Sequence, residues 1–276
     1  GTWDLRSHAA RIQSVDESTL KTWRTVTEAD DWQSTPMVST VNSAASRTLA
    51  TLGSRPRIGA LNLQFSTGWN ETTDFQKGLF SKQWGPASWK DAILQGSHLY
   101  VSTPLYKQPN QTMANQRDWT ATDLESLPSS ILPVTQYKPA GDHTTYNRLY
   151  THWRNHSAFE YYRVAWRNMA PLTGERTLVP SIIPTGTAHL QSVTSTSTPT
   201  SSVHYIPMIA GVSSSLISDF MIRAAGRGHI NGADFSLLPA LDTSHPLTTA
   251  VILRILRLNC ISDAYTSLWA ECWHES

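Results

Sequence analysis

Charge is scarce in this chain. Asp, Glu, Lys and Arg make up 16% of its 276 residues, against about 25% in an average domain. The formal net charge of +1 excludes a wholly basic nucleic-acid binder, for which a pI above about 9 is the usual footprint. A local basic face is still allowed. Cysteine is nearly absent, with Cys260 and Cys272 alone. Twelve residues apart on one helix, they would lie about 18 Å from each other, too far to bridge. Both are expected as buried reduced thiols, which suits the cytoplasm. No apolar run approaches about 18 residues, so no membrane span is expected. No secretory leader is read at Gly1-Thr2-Trp3, and the sequons at Asn70, Asn110 and Asn155 are expected to be unused.

Catalytic signatures are missing as well. GRGHING (226–232) is no P-loop, because no GK[ST] follows it, and no dinucleotide fingerprint, because no strand precedes it. Ser213, Ser214 and Ser215 lie in an apolar run without the G-x-S-x-G elbow of a nucleophile. Packing between helices explains them better. His152 and His156, four apart in HWRNH, would share a helix face but lack the Glu of a metalloprotease motif. No catalytic residue and no metal ligand is assigned.

What is present is a globular composition, 39% hydrophobic and rich in Ser and Thr, whose hydroxyls bond phosphates, amides or sugars without adding charge. The pattern predicts an α+β fold: a mixed sheet with irregular loops and C-terminal helices. Residues 1–57 read as a helical lead-in, with helices over 16–32 and 46–53. Residues 58–276 read as the main domain. IGALNLQFS (58–66) alternates like a strand. Residues 88–102 suggest a short helix, a Gly turn and a strand, and 103–148 a Pro-rich irregular stretch. RTLVPSIIPTGTAHLQSV (176–193) suggests a hairpin about Pro-Thr-Gly, and TSTSTPTSS (194–202) an exposed low-complexity loop. A helix over 206–226 stops at Gly226. A Gly-rich loop ending in a short strand or turn fills 226–241, and one or two amphipathic helices span 246–273.

Polar and aromatic clusters mark the candidate binding surfaces. Tyr161 to Val193 interleaves Arg163, Arg167 and Arg176 with Tyr161, Tyr162 and Trp166, the composition of a surface that holds phosphates and stacks on bases. Arg163 and Arg167, spaced i and i+4, would share a helix face, as would Arg254 and Arg257 at i and i+3. WNETTDFQK (69–77) offers Asn70, Glu71 and Lys77, side chains that read base edges or hold phosphate. Its Glu71 and Asp74 also admit an acid/base pair for glycoside chemistry, and a plain solvated loop accounts for the same residues. TPLYKQPNQ (103–111) fixes Tyr106 and Lys107 between prolines, either as a clamp or as a structural turn. Arg223, Arg227 and His229 surround the Gly-rich loop, which is either a phosphate cradle or a helix cap and turn.

At Tyr162, Arg163, Trp166 and Arg167, then Glu175-Arg176-Thr177-Leu178, then Ile182-Ile183-Pro184, the chain resembles the C-terminal region of large adenine-specific DNA methyltransferases. These include the single-chain type IIG restriction-modification enzymes and their relatives in BREX- and DISARM-type phage defence. SSLISDFMIRAAGRGHINGADFSLLP and LRLNCISDAYTSLWAECW extend the resemblance, while WNET (69–72) and SHLYVSTPLYK (97–107) carry it more weakly from about Trp69 onward. The chain lacks the family's [N/D/S]-P-P-[Y/F/W] motif and its Gly-rich S-adenosylmethionine loop; TPLY (103–106) has one proline and neither Asn nor Asp. The resemblance therefore implies a cytoplasmic target-recognition domain that binds double-stranded DNA. Its methyltransferase domain, with S-adenosylmethionine, would lie outside this chain. Asn70, Glu71, Lys77, Tyr106, Lys107, Arg163, Arg167, Arg176, Arg223, Arg227 and His229 are its candidate contacts.

Two other classes fit the composition. Eleven Trp residues and abundant hydroxyls suit a carbohydrate-binding or carbohydrate-active domain. A partner-docking domain needs no ligand at all.

Overall fold

Arg-Val-Ala-Trp-Arg, residues 163–167, is the spine of the molecule. It is a strand rather than a helix, and four of its five residues are buried. In the computed structural model, which describes residues 6, 8–9, 12–27, 29–38, 40 and 42–273, it lies inside a four-stranded sheet. The opening Gly1-Thr2-Trp3 lies outside the described residues.

In chain order the described elements are α1 (Glu17–Thr27), α2 (Ser43–Gly53), β1 (Gln64–Ser66), α3 (Thr73–Gln76), β2 (Phe80–Lys82), β3 (Ile93–Leu94), β4 (Lys107–Pro109), β5 (Trp119–Ala121), β6 (Tyr137–Pro139), α4 (His143–Leu149), β7 (His152–Trp153) and β8 (His156–Ser157). There follow β9 (Arg163–Arg167), β10 (Pro180–Ile183), β11 (Ala188–His189), β12 (Val193–Ser197), α5 (Tyr205–Ser213), α6 (Leu216–Ala224), α7 (Gly232–Ser236), α8 (Thr248–Asn259) and α9 (Thr266–Cys272). The fold is α+β, as expected. The main sheet runs β1-β12-β9-β10 and is antiparallel throughout, while among the described residues parallel pairing joins β3 with β11 and, in a single bridge, Trp69 with Leu190.

Both faces of the sheet are covered, so all of β10 and four of the five residues of β9 are buried, the polar Arg163 and Ser181 among them. On one face Val164, Trp166 and Ile182 meet Ile209 and Val212 of α5 and Ile252, Ile255 and Leu256 of α8. Trp166 stacks on Phe235 at 3.9 Å and donates its indole N–H to Ile230 O at 2.8 Å. On the other face Ala165, Ile183 and Val193 pack against Leu94 and Leu99. An aromatic cluster of Trp69, Phe80, Tyr137, Tyr146, Tyr150, Trp153 and Phe159 forms a second core. Helices α1 and α2 pack through Trp23, Val26 and Leu49 on Met221 and Ala224 of α6.

Several expectations are corrected. The 194–202 segment is not an exposed loop: Val193–Ser197 is the fully buried strand β12. Its hydroxyls are satisfied internally, Thr196 donating to Gln64 O at 2.8 Å and Ser197 to Tyr162 O at 2.9 Å. Residues 176–193 do not form a hairpin, because β11 leaves β10 and pairs with β3. The 58–66 strand shrinks to Gln64–Ser66 behind a 3-10 turn at Ile58–Leu61. In the 88–102 stretch the strand, Ile93–Leu94, comes before Gly96 rather than after it. The Gly-rich segment holds a short helix, α7, that was not expected, while its end is a turn and a β-bridge from Pro239 to Arg57, in line with the expected short strand or turn. The 206–226 helix is broken by a 60° bend between α5 and α6, and Ser215 caps the second half by accepting from Ser218 N at 3.1 Å. Gly226, at φ +68°, ends α6 as expected.

Cys260 and Cys272 are buried free thiols, but they do not share a helix: α8 ends at Asn259 and α9 starts at Thr266. Burial pushes the Cys272 thiol up to about 11 and raises that of Cys260 further, so neither is a nucleophile at neutral pH. Among the described residues no single helix is long and apolar enough to cross a membrane, although the bent pair α5–α6 passes by length and composition.

Candidate nucleic-acid interface

The C-terminal end of β9 is where distant segments meet. Arg167 donates from Nε to Gly96 O at 2.8 Å and from Nη2 to Leu99 O. Asn168 follows, its N–H bonded to Ser192 O at 3.0 Å and its side-chain amide reaching Gln191 O at 3.5 Å. Next comes Met169, bridged to His229, and Ala170, whose N–H bonds Gly228 O at 3.0 Å. Asn70 joins the rim by donating from Nδ2 to Gln191 Oε1 at 2.7 Å. Gly96 N donates to Ser192 Oγ at 3.0 Å. One hydrogen-bonded rim thus runs from Asn70 through Gln191, Ser192 and Gly96 to Arg167, with His229 flanking it.

Tyr106 completes the rim. It stacks on Tyr100 with centroids 4.6 Å apart and planes at 27°. Lys107 Nζ lies 5.0 Å and Arg167 Cζ 5.9 Å from the Tyr106 ring. No described carboxylate forms an ion pair with either cation. Partial burial pulls the Arg167 pKa down, opposed by the neighbouring tyrosines.

The 69–77 segment is shaped by its own polar side chains. Asn70 Oδ1 accepts from Thr72 N at 3.0 Å and Thr73 N at 2.8 Å, while Asp74 Oδ2 accepts from Asn70 N at 2.8 Å. Lys77 pairs with Asp74 at 2.9 Å. Glu71 accepts from the Tyr137 hydroxyl at 2.9 Å. Both carboxylates of the imagined glycosidase pair are therefore already engaged, and Trp23, Trp69, Trp153 and Trp166 are core residues unavailable to a sugar.

Beside this segment lies a cleft of about 320 Å³, walled by Trp69, Leu79, Leu149 and Tyr150, with Asp74 and Lys77 among its lining. Trp69 packs on Tyr150 at 5.0 Å, and Tyr150 stacks on Phe159 at 4.0 Å. Gly68 sets this wall. Its φ is +68°, and a Cβ there would lie 2.1 Å from His189 O, so a side chain is excluded by both conformation and space.

The remaining arginines hold the fold. Arg163 is fully buried, bonded from Nη1 to the Tyr150 hydroxyl at 3.4 Å and from Nη2 to Thr187 O. It reaches no solvent and leaves the set of candidate contacts. With Arg167 it shares one side of a strand, not of a helix. Arg176 and Arg223 converge on Asp219 at 3.3 and 3.0 Å. The Asp219 carboxylate also accepts from Thr177 N at 2.7 Å and Leu178 N at 2.8 Å. Arg223 further donates to Gly174 O and Glu175 O. The Glu-Arg-Thr-Leu segment is thus a structural knot centred on Asp219. Arg227 pairs with Asp234 at 3.1 Å and remains 44% exposed.

His152 and His156 sit on opposite arms of the β7–β8 hairpin rather than on a helix face. Sequence reading missed Gln191, Asn168 and Asp219. Asn168 had a usable signal, since it directly follows Arg167. Gln191 was hidden because its segment reads as the second arm of a hairpin.

No protein-family model matches the chain, and neither does any curated protein sequence.

Proposed function

We propose that this chain is a sequence-reading DNA-binding domain that works with an adenine-specific methyltransferase domain. The observation that carries this is the rim at the end of β9. It brings three amide side chains (Asn70, Asn168, Gln191), an aromatic stack and two cations without acidic partners among the described residues together from segments up to about 120 residues apart. Amides read adenine and other base edges in the major groove, and cations with backbone amides hold phosphates. Near-neutral net charge fits a reader whose affinity is shared with another domain.

Asn70, Tyr106, Lys107, Arg167, Arg227 and His229 are the contacts retained from the sequence, joined by Asn168 and Gln191. Glu71 and Lys77 lie beside the rim, with Tyr137 and Asp74 as partners. Arg176 and Arg223 act by holding the 171–178 loop. No group in this chain takes the methyl-transfer step. S-adenosylmethionine belongs to the partner domain, and the setting is the cytoplasm.

The test is fluorescence anisotropy with duplex DNA pools at 50 mM salt. Gln191→Ala is expected to relax preference at one base position by about 1–3 kcal/mol. Lys107→Ala is expected to weaken all sequences alike. Absence of duplex binding by the folded chain contradicts the reading.

A further inference from the structure

The β4–β5 hairpin stands on the rim. Tyr106 immediately precedes β4, and Thr122, which follows β5, donates its N–H to Tyr106 O at 3.0 Å. Tyr106 N in turn donates to His98 O at 2.9 Å, and Trp119 of β5 meets the buried His98 ring edge-on at 4.8 Å. Both arms are thus fixed to the core. The connecting loop, 110–118, is held by its own groups. Asp118 accepts from Asn110 Nδ2 at 2.7 Å, Thr112 Oγ1 at 2.5 Å and Ala114 N at 2.9 Å. Two turns close it, Met113 N donating to Asn110 O at 3.0 Å and Asp118 N to Asn115 O at 3.1 Å. Gln111, Gln116 and Arg117 are exposed on this frame. Their side chains form no hydrogen bond or ion pair among the described residues. From Lys107 to Ala121 the sequence holds two cations against one carboxylate, and that carboxylate is the one that shapes the loop.

We infer that this hairpin enters the major groove of duplex DNA and reads base edges through Gln111, Gln116 and Arg117. The inference rests on the DNA-reading proposal and adds to the rim a projecting element that reaches the bases. Two strands about 5 Å apart make a ribbon that fits a groove about 12 Å wide and not the minor groove of about 6 Å. Glutamine pairs bidentately with adenine N6 and N7, and arginine with guanine O6 and N7. A side chain already bonded within the chain must break those bonds before it reads a base, and these three have none among the described residues. The 69–77 segment differs in this respect, since its Lys77 and Asp74 pair with each other. A loop ordered before contact also loses little conformational freedom on binding.

Gln111→Ala, Gln116→Ala and Arg117→Ala alter exposed side chains and leave the Asp118 network intact, which circular dichroism checks. The probe is the duplex that the native chain selects from a random pool, followed by fluorescence anisotropy. One purine at a time is replaced by its 7-deaza analogue, which removes N7 from the major-groove edge and leaves the minor groove unchanged. The native chain is expected to lose about tenfold in affinity at one or more of these positions. Arg117→Ala is expected to bind the unmodified duplex about tenfold more weakly and to become indifferent to 7-deazaguanine at its position. The two glutamine variants are expected to become indifferent to 7-deazaadenine. Lost sensitivity in any of the three variants assigns that side chain to a base edge. If the native chain tolerates every 7-deaza purine, the hairpin inference is overturned and the DNA reading stands. The same holds if all three variants keep the native pattern of losses, even with uniformly weaker binding, since the hairpin then touches phosphates alone. If no duplex is selected, the DNA reading and the hairpin inference fall together.

Discussion

Gly68 and two buried histidines set the terms at the residue scale. Gly68→Ala must place a methyl group against the His189 backbone at φ +68°. A loss of roughly 2–4 kcal/mol is expected in urea denaturation, from overpacking and left-handed strain together. His98 accepts from Gln95 N at 2.9 Å and donates to Val134 O at 2.9 Å. His189 bonds the Ser195 hydroxyl at 2.8 Å. Burial pulls the first down to about 4; burial and then the Arg163 charge pull the second to about 3. Both folded values lie below the unfolded 6.5, so the folded state binds fewer protons. Their stabilisation is full above pH 6.5 and is lost as pH falls through 6 and 5 toward 4 and 3. Each histidine removes about 1.4 kcal/mol per pH unit in that window. Denaturation midpoints that stay level from pH 7 to pH 5 would contradict this.

Apolar spacing made elements legible only in part, since the helix expected over 16–32 stops at Thr27 and the alternating 58–66 segment is a strand only at Gln64–Ser66, and burial of polar residues hid others. Helices α1 and α2 and the stop at Gly226 follow from spacing and caps, as when Asn42 accepts from Ala45 N at 2.9 Å. Strand β12 was invisible because Ser and Thr read as surface until their hydroxyl partners are known. Strand β9 was ambiguous because i and i+4 lie on one side of either a helix or a strand. The rim residues were partly legible: Asn70, Tyr106, Lys107 and Arg167 stood out by type, whereas Gln191 depends on how β11 turns into β12. Asp219 ties α6 to the 171–178 loop through two arginines and two backbone amides. Asp219→Ala leaves these unpaired in a buried site, so a loss of about 3–5 kcal/mol is expected. Asp219→Asn, which keeps an acceptor, should lose less. Equal and small losses in the two variants would remove the knot from the account.

For the whole molecule, the proposal makes the sheet a platform and the rim at the end of β9 its DNA-reading surface. Most basic side chains near that end are already paired: Lys77 with Asp74, Arg176 and Arg223 with Asp219, Arg227 with Asp234. Lys107 and Arg167 carry no acidic partner among the described residues. With two or three phosphates neutralised, log affinity for duplex DNA should fall against log salt with a slope of about −2 to −3. A slope steeper than about −6 would mean a basic face elsewhere. The most direct test of the central claim is a hydrogen-exchange footprint of the chain on duplex DNA. Protection is predicted at Gly96–Ser97, at Tyr106–Lys107, at Gln191–Ser192 and around Gly228–His229. Protection confined to α8 and α9, with the β9 rim exchanging as in the free chain, would contradict it.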